Sequence, residues 1–134
     1  MKTSDSPYRH LADSVQLTLN IAGFPAHFVS LLEDRPGFEV NVIEGGDYSG
    51  VLVTWQTEEK LKNAAVDAYN RNDLEDPARQ LYDITTQQMC DVAIHVLSSA
   101  GFHVTVEGGY SPFDVRVEGH VHEALAPILN SGPG

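Results

Sequence analysis

The sequence predicts an α+β domain: a mainly antiparallel sheet of about four to five strands, with helices packed on one face. Three observations lead there. Two stretches alternate apolar and polar residues around a double glycine, "FEVNVIEGGDYSGVLVTWQ" and "FHVTVEGGYSPFDVRVE", as hairpins do. Apolar residues recur at helical spacing in at least three other segments. Strands and helices come in separate groups joined by short turns, which argues against a parallel βαβ order.

Taken in order, residues 1–6 read as a flexible start. Ser6-Pro7 then reads as an N-cap followed by proline at the first helical position. Tyr8, Leu11, Ala12, Val15, Leu19 and Ala22 continue at helical spacing up to Gly23. The same stretch contains "VQLTLNI", in which Val15, Leu17, Leu19 and Ile21 also alternate as in a strand. The caps favour helix. "PAHFVSLL" is short and apolar and fits either state, and "EDRPG" is a turn.

Phe38, Val40 and Val42 alternate with Glu39 and Asn41 in a half-buried strand, and "VLVTWQ" is its hairpin partner. Trp55, in line with Val51 and Val53, belongs to the core. Thr57 is placed to cap a helix whose apolar stripe is Leu61, Ala64, Ala65, Ala68 and Tyr69. After the polar break "NRNDLED", Asp76-Pro77 starts a long helix running to about Ala100. Leu81, Tyr82, Met89, Cys90, Ala93, Ile94, Val96 and Leu97 give it the widest apolar arc in the chain, as expected of the helix lying across the sheet. Gly101 ends it. The second hairpin follows over 102–107 and 113–118. "HEALAPIL" reads as a short terminal helix and 130–134 as a flexible tail. "AGF" closes both of the main helices ahead of a hairpin, which suggests a duplicated helix-plus-hairpin unit. Against it, 14 positions separate Phe24 from Phe38 in the first copy, and none separate Phe102 from its strand in the second.

Length and charge bound the function. A chain of 134 residues is enough for one domain with an ordinary core. Nineteen acids oppose eight Lys and Arg, for a net charge of −11, and beyond Asp73 the only Lys or Arg residues are Arg79 and Arg116. Such a surface repels phosphate backbones, so no direct nucleic-acid contact is expected. No apolar run has membrane-spanning length, and the start lacks the apolar core of a signal peptide. A single cysteine, Cys90, cannot form an internal disulfide. The expectation is a cytoplasmic protein without a membrane partner.

The double glycines resemble phosphate loops only superficially. Such loops join a strand to a helix N-terminus, whereas each "EGG" joins two strands, follows a glutamate and precedes no lysine. A turn needing positive φ is the plainer reading. Tyr48 and Tyr110, beside the glycines, are candidate interface anchors, though either could fold back over its own hairpin. Ile43 and Leu52 lie on the outer face of the first hairpin. If the fold leaves that face uncovered, they mark a surface for self-association or for a partner.

The sharpest chemical pattern is the H-x-H of His120 and His122. If the last strand runs on through them, they share a face with Glu118, and with His103 on the partner strand. That set could hold a divalent metal, but the same face is also where a solvated row of polar residues belongs. Cys90 sits in the apolar arc, where a cysteine packs rather than reacts. No G-x-S-x-G is present, and no residues are assigned as catalytic.

The leading expectation is a non-enzymatic binding or regulatory module acting through contacts with a protein partner, a basic one or a second copy of the chain, without a cofactor. The alternative is a metal-binding protein or metal-dependent enzyme using His103, Glu118, His120 and His122. A further alternative is an acidic mimic of nucleic acid that inhibits a basic protein, of the kind phages and mobile elements encode.

Overall fold

The computed structural model describes residues 7–29, 35–44, 49–106 and 114–120. The elements run α1 (Pro7–Ile21), β1 (Ala26–Phe28), β2 (Gly37–Ile43), β3 (Gly50–Gln56), α2 (Glu59–Asn70), α3 (Pro77–Ser99), β4 (Phe102–Thr105) and β5 (Val115–His120). The five strands share one sheet in the order β1-β2-β3-β5-β4. This is the expected α+β arrangement, antiparallel except for the β1–β2 pair.

The conflict in the N-terminal segment resolves as helix. Ala12, Val15, Thr18 and Leu19 are buried on one side of α1, while Leu17 and Ile21 face water. A strand would have put Val15, Leu17, Leu19 and Ile21 on one face together. The ambiguous "PAHFVSLL" contributes only its Ala26–Phe28 to the sheet, as an edge strand parallel to β2. Its outer edge is closed by α1. Asn20 accepts from the Ala26 N–H at 2.9 Å, and Gln16 and Asn20 both donate to the Ala26 carbonyl. Side chains thus replace the neighbouring strand that an edge otherwise invites.

The core lies between the sheet and two helices. Phe38, Val40, Val51, Val53, Val115 and Val117 point from the sheet into one cluster with Ala12, Val15 and Leu19 of α1 and Cys90, Ala93 and Leu97 of α3. Phe38 sits edge-on to both Phe24 and Trp55, its register partner, at ring separations of 5.9 and 4.8 Å. Trp55 packs against the core as expected. α2 packs on α3, burying Ala65 and Ala68, but not Ala64 or Tyr69 of its expected stripe.

Helix ends follow the sequence signals with one correction. Asp76 caps α3, its Oδ1 accepting from the Ala78 and Arg79 N–H groups at 2.8 and 3.3 Å. Gly23 and Gly101 both take left-handed φ values, 104° and 101°, which side chains resist, so each "AGF" is a helix stop. Thr57, however, does not cap α2. Glu58 occupies the N-cap without a side-chain bond, and the Thr57 hydroxyl donates instead to the Glu58 carbonyl. The AGF echo joins each helix to an edge strand, but β1 is parallel to its neighbour and β4 antiparallel. The EGG turns, Ser6 and the "HEALAPIL" segment lie outside the described residues.

Candidate functional site

The two hairpins differ in register, and the difference bears on the metal reading. β2 and β3 pair without interruption from Gly37–Gln56 to Ile43–Gly50. β4 and β5 do not. Thr105 pairs with Arg116 and Val104 with Val117, but His103 pairs with Gly119 and Phe102 with His120. Glu118 is the extra residue of a β-bulge, and beyond it the alternation is offset by one position. The expectation had Glu118, His120 and His122 on the face of His103. The register instead places Gly119 opposite His103, and His120 opposite Phe102, a core residue. His103 and Glu118 are exposed. His122 lies outside the described residues. Among the described residues, no three His, Cys, Asp or Glu side chains gather where a metal ion could be held.

The interface residues expected from sequence fare unequally. Tyr48 and Tyr110 lie outside the described residues. Ile43 is half-buried at the end of β2. Leu52 is only 7% exposed, lying in register between Asn41 and Arg116, so it is not part of an open apolar surface.

The outer face of the sheet is instead polar and knitted together. A transverse row runs His27, Glu39, Thr54 across β1, β2 and β3. Asp114, just before β5, extends it: Thr54 Oγ1 donates to Asp114 Oδ1 at 2.8 Å. Gln56 donates to Glu39 at 3.1 Å, and His27 Nε2 to the Arg35 carbonyl at 3.1 Å. Asp114 is 8% exposed and His27 is also buried. Beside His27 an open depression of about 480 Å³ is lined by Gln16, Asn20, His27 and Arg35. Gln16, Asn20 and His27 already spend hydrogen bonds on the neighbouring backbone, so the row reads as scaffolding for the sheet.

The remaining chemistry is quiet. Cys90 is buried in the core, and burial, then Asp91 and Asp114, push its thiol up from its ordinary value. A thiol held protonated is a poor nucleophile. His95 lies on the exposed side of α3, bonded to the Asp91 carbonyl at 2.9 Å, and forms no dyad with Cys90.

What sequence reasoning missed is at the other end of α3. The buried residues of this helix are Thr86, Cys90, Ala93 and Leu97. Its first turns, from Pro77 to Thr85, bury none, and there Leu81 is 53% and Ile84 54% exposed. In the preceding turn Leu74 is 70% exposed. Leu81 was expected in the core arc. Yet it precedes Cys90 by about two and a half turns of 3.6 residues, which puts the two on opposite sides. That arithmetic was available from the sequence.

This exposed end is nevertheless well ordered by side-chain bonds. Arg71 bridges Asp67, Asp73 and Asp76 at 3.1–3.2 Å, tying the end of α2 to the cap of α3. The bonds to Asp76, Asp67 and Asp73 raise the guanidinium further above its ordinary value. Tyr69 donates to Asp83, and the Arg79 guanidinium lies 3.9 Å over the Tyr69 ring. Burial, then the Asp83 bond, raises the Tyr69 phenol. For Asp76 burial alone would raise the carboxyl. The N–H bonds of Ala78 and Arg79 and the Arg71 guanidinium together hold it below the ordinary carboxylate range.

No protein-family model matches this chain, and no match is found among curated proteins or among solved structures. Among the described residues, no helix is long and apolar enough to cross a membrane.

Proposed function

We propose that this chain is a non-enzymatic binding or regulatory module of the cytoplasm that works through contacts with a protein partner. The observation that carries this reading is the concentration of exposed apolar side chains on α2, α3 and their connecting turn. Val66, Tyr69, Leu74, Leu81 and Ile84 all lie there, on a helix pair held in place by the Arg71 and Tyr69 networks. Exposed apolar residues scattered singly are ordinary, but several on one ordered supersecondary unit suit an interaction surface. The interest thus moves from the outer face of the first hairpin, where Leu52 is buried, to the helical side of the molecule.

The net charge of −11 makes a partner of opposite charge the better fit, because two copies of this chain repel each other. The test is affinity capture from the native host at low and high salt, beside light scattering of the purified chain. A specific co-purifying protein, lost at high salt, supports the reading. A strictly monomeric chain that captures nothing above an equally acidic control protein sinks it.

A further inference from the structure

We propose that the apolar ridge of Leu74, Leu81 and Ile84 is the docking surface, and that its occupant is a basic amphipathic helix of the partner protein. This rests on the binding reading above and assigns it a place and a ligand chemistry.

Three properties select the occupant. First, the two central residues of the ridge are apolar and presented by a helix, while Leu74 comes from the turn before it. Leu81 and Ile84 are adjacent at i,i+3 spacing, on the side of α3 away from Thr86 and Cys90. The backbone N–H and C=O groups of a helix interior are satisfied within the helix, so the ridge cannot add a strand and must be recognised by side chains. An apolar stripe at i, i+3, i+4 spacing is the matching shape. Second, the segment that carries it is acidic, with six carboxylates and two guanidinium groups from Val66 to Asp91. Arg71 is taken up by three of those carboxylates, and Arg79 lies over Tyr69. Glu75, next to Leu74, and Asp91, two turns beyond Ile84 on the same side, are exposed and pair with neither Lys nor Arg among the described residues, and the neighbouring His95 ring bonds the Asp91 backbone carbonyl rather than its carboxylate. Lys or Arg flanking an apolar stripe would meet these two carboxylates, their aliphatic stems lying along the ridge. Third, the surface is preorganised. The bonds of Arg71, Tyr69 and Asp76 hold the α2–α3 turn without help from a partner, so little ordering cost falls on binding.

A second copy of the chain would bring an acidic surface rather than cations against Glu75 and Asp91, which costs affinity rather than adding it.

The probe is a synthetic 18-residue helix of Leu and Lys with one apolar face, titrated into the full-length chain by fluorescence anisotropy. Its comparators are the same composition scrambled to destroy the face, and the same pattern with Glu for Lys. The chain carries either Leu81→Ser with Ile84→Ser, or Leu17→Ser with Ile21→Ser on the exposed side of α1. Both pairs are solvent-facing, and a cooperative thermal transition like that of the unaltered chain establishes that each variant is folded. The amphipathic Lys helix is expected to bind the unaltered chain and the α1 variant alike, and the ridge variant about tenfold more weakly or worse. Weak, salt-sensitive binding of the scrambled peptide is expected, and none of the Glu helix. Equal binding by the ridge variant, equal binding of the scrambled peptide, or loss only in the α1 variant overturns the proposal. So does a dimer of the unaltered chain that the ridge substitutions abolish, which would make a second copy the occupant. Capture from the host separates the two levels. If the ridge variant still captures the partner of the unaltered chain, the binding reading stands and the ridge assignment falls. If the unaltered chain captures nothing, the binding reading itself falls.

Discussion

The two halves of α3 are made of similar residues and do different things. From Thr86 to Ser99 the helix lies on the sheet and buries Thr86, Cys90, Ala93 and Leu97, a residue every three or four positions. From Pro77 to Thr85 it buries none, yet it carries Leu81 and Ile84 in the open and is joined to α2 by the Tyr69–Asp83 bond. Apolar content alone therefore does not make a core. What decides is what lies beneath the helix, and the apolar core against the sheet takes in α3 only from Met89 onward. The buried side over the sheet serves stability, and the first half leaves its large apolar residues exposed.

The largest effect that should follow is on the buried half. Leu97→Ala removes a fully buried side chain and should cost about 2–5 kcal/mol in urea denaturation. A loss no greater than that of an exposed residue would erase the distinction between the halves. Next comes the cap that joins them. Asp76→Ala removes the acceptor of two N–H groups and one Arg71 partner, and the thermal midpoint should fall, though less than for Leu97→Ala.

The same residue gives a pH signature. Its carboxyl is held below the ordinary range in the folded chain, so the unfolded state binds the proton more readily. The stabilisation is therefore complete above about pH 4, the usual carboxylate pKa, and is lost as pH falls through the lower folded value. Asp76→Asn should flatten that part of the acid unfolding curve, and an unchanged curve would mean that other carboxylates dominate it.

Smaller still is the effect on the exposed half. Leu81→Ser with Ile84→Ser should leave stability within about 0.5 kcal/mol per site, despite the loss of two large apolar side chains. A larger loss would mean that the ridge is already covered. Least of all, the Cys90 thiol should react with a disulfide reagent only slowly in the folded chain, and at an ordinary thiol rate once urea has unfolded it.

Much of this architecture is legible in the residues. The Asp76-Pro77 start, the Gly23 and Gly101 stops, both pairs of hairpin strands and the membership of Trp55 in the core follow from local chemistry that tertiary structure has no reason to override. Other features are set by neighbours. "AHF" is a strand only because Phe38–Val40 lies beside it and Asn20 and Gln16 close its outer edge. The bulge at Glu118 adds one residue to a strand, and a period-two count carried through it assigns Gly119 and His120 to the wrong side. That is why the H-x-H pattern pointed to a face the register does not assemble for His120. Leu52 had the right spacing for an outer face, but at 7% exposure it is buried there. The exposed ridge was half legible: the helical wheel separates Leu81 from Cys90, but only the three-dimensional packing shows that Leu81 stays about half exposed.

The most direct test of the division within α3 is site-specific photo-crosslinking in native host extract, with a photoreactive residue placed in turn at Ile84, at Leu17 and at Gln88. A binding surface running from Leu81 to Asp91 predicts crosslinks to one basic protein from position 84 and from 88, one turn on along the same side, and none from 17. Crosslinks absent at 84, or equal at 84 and 17, would contradict it.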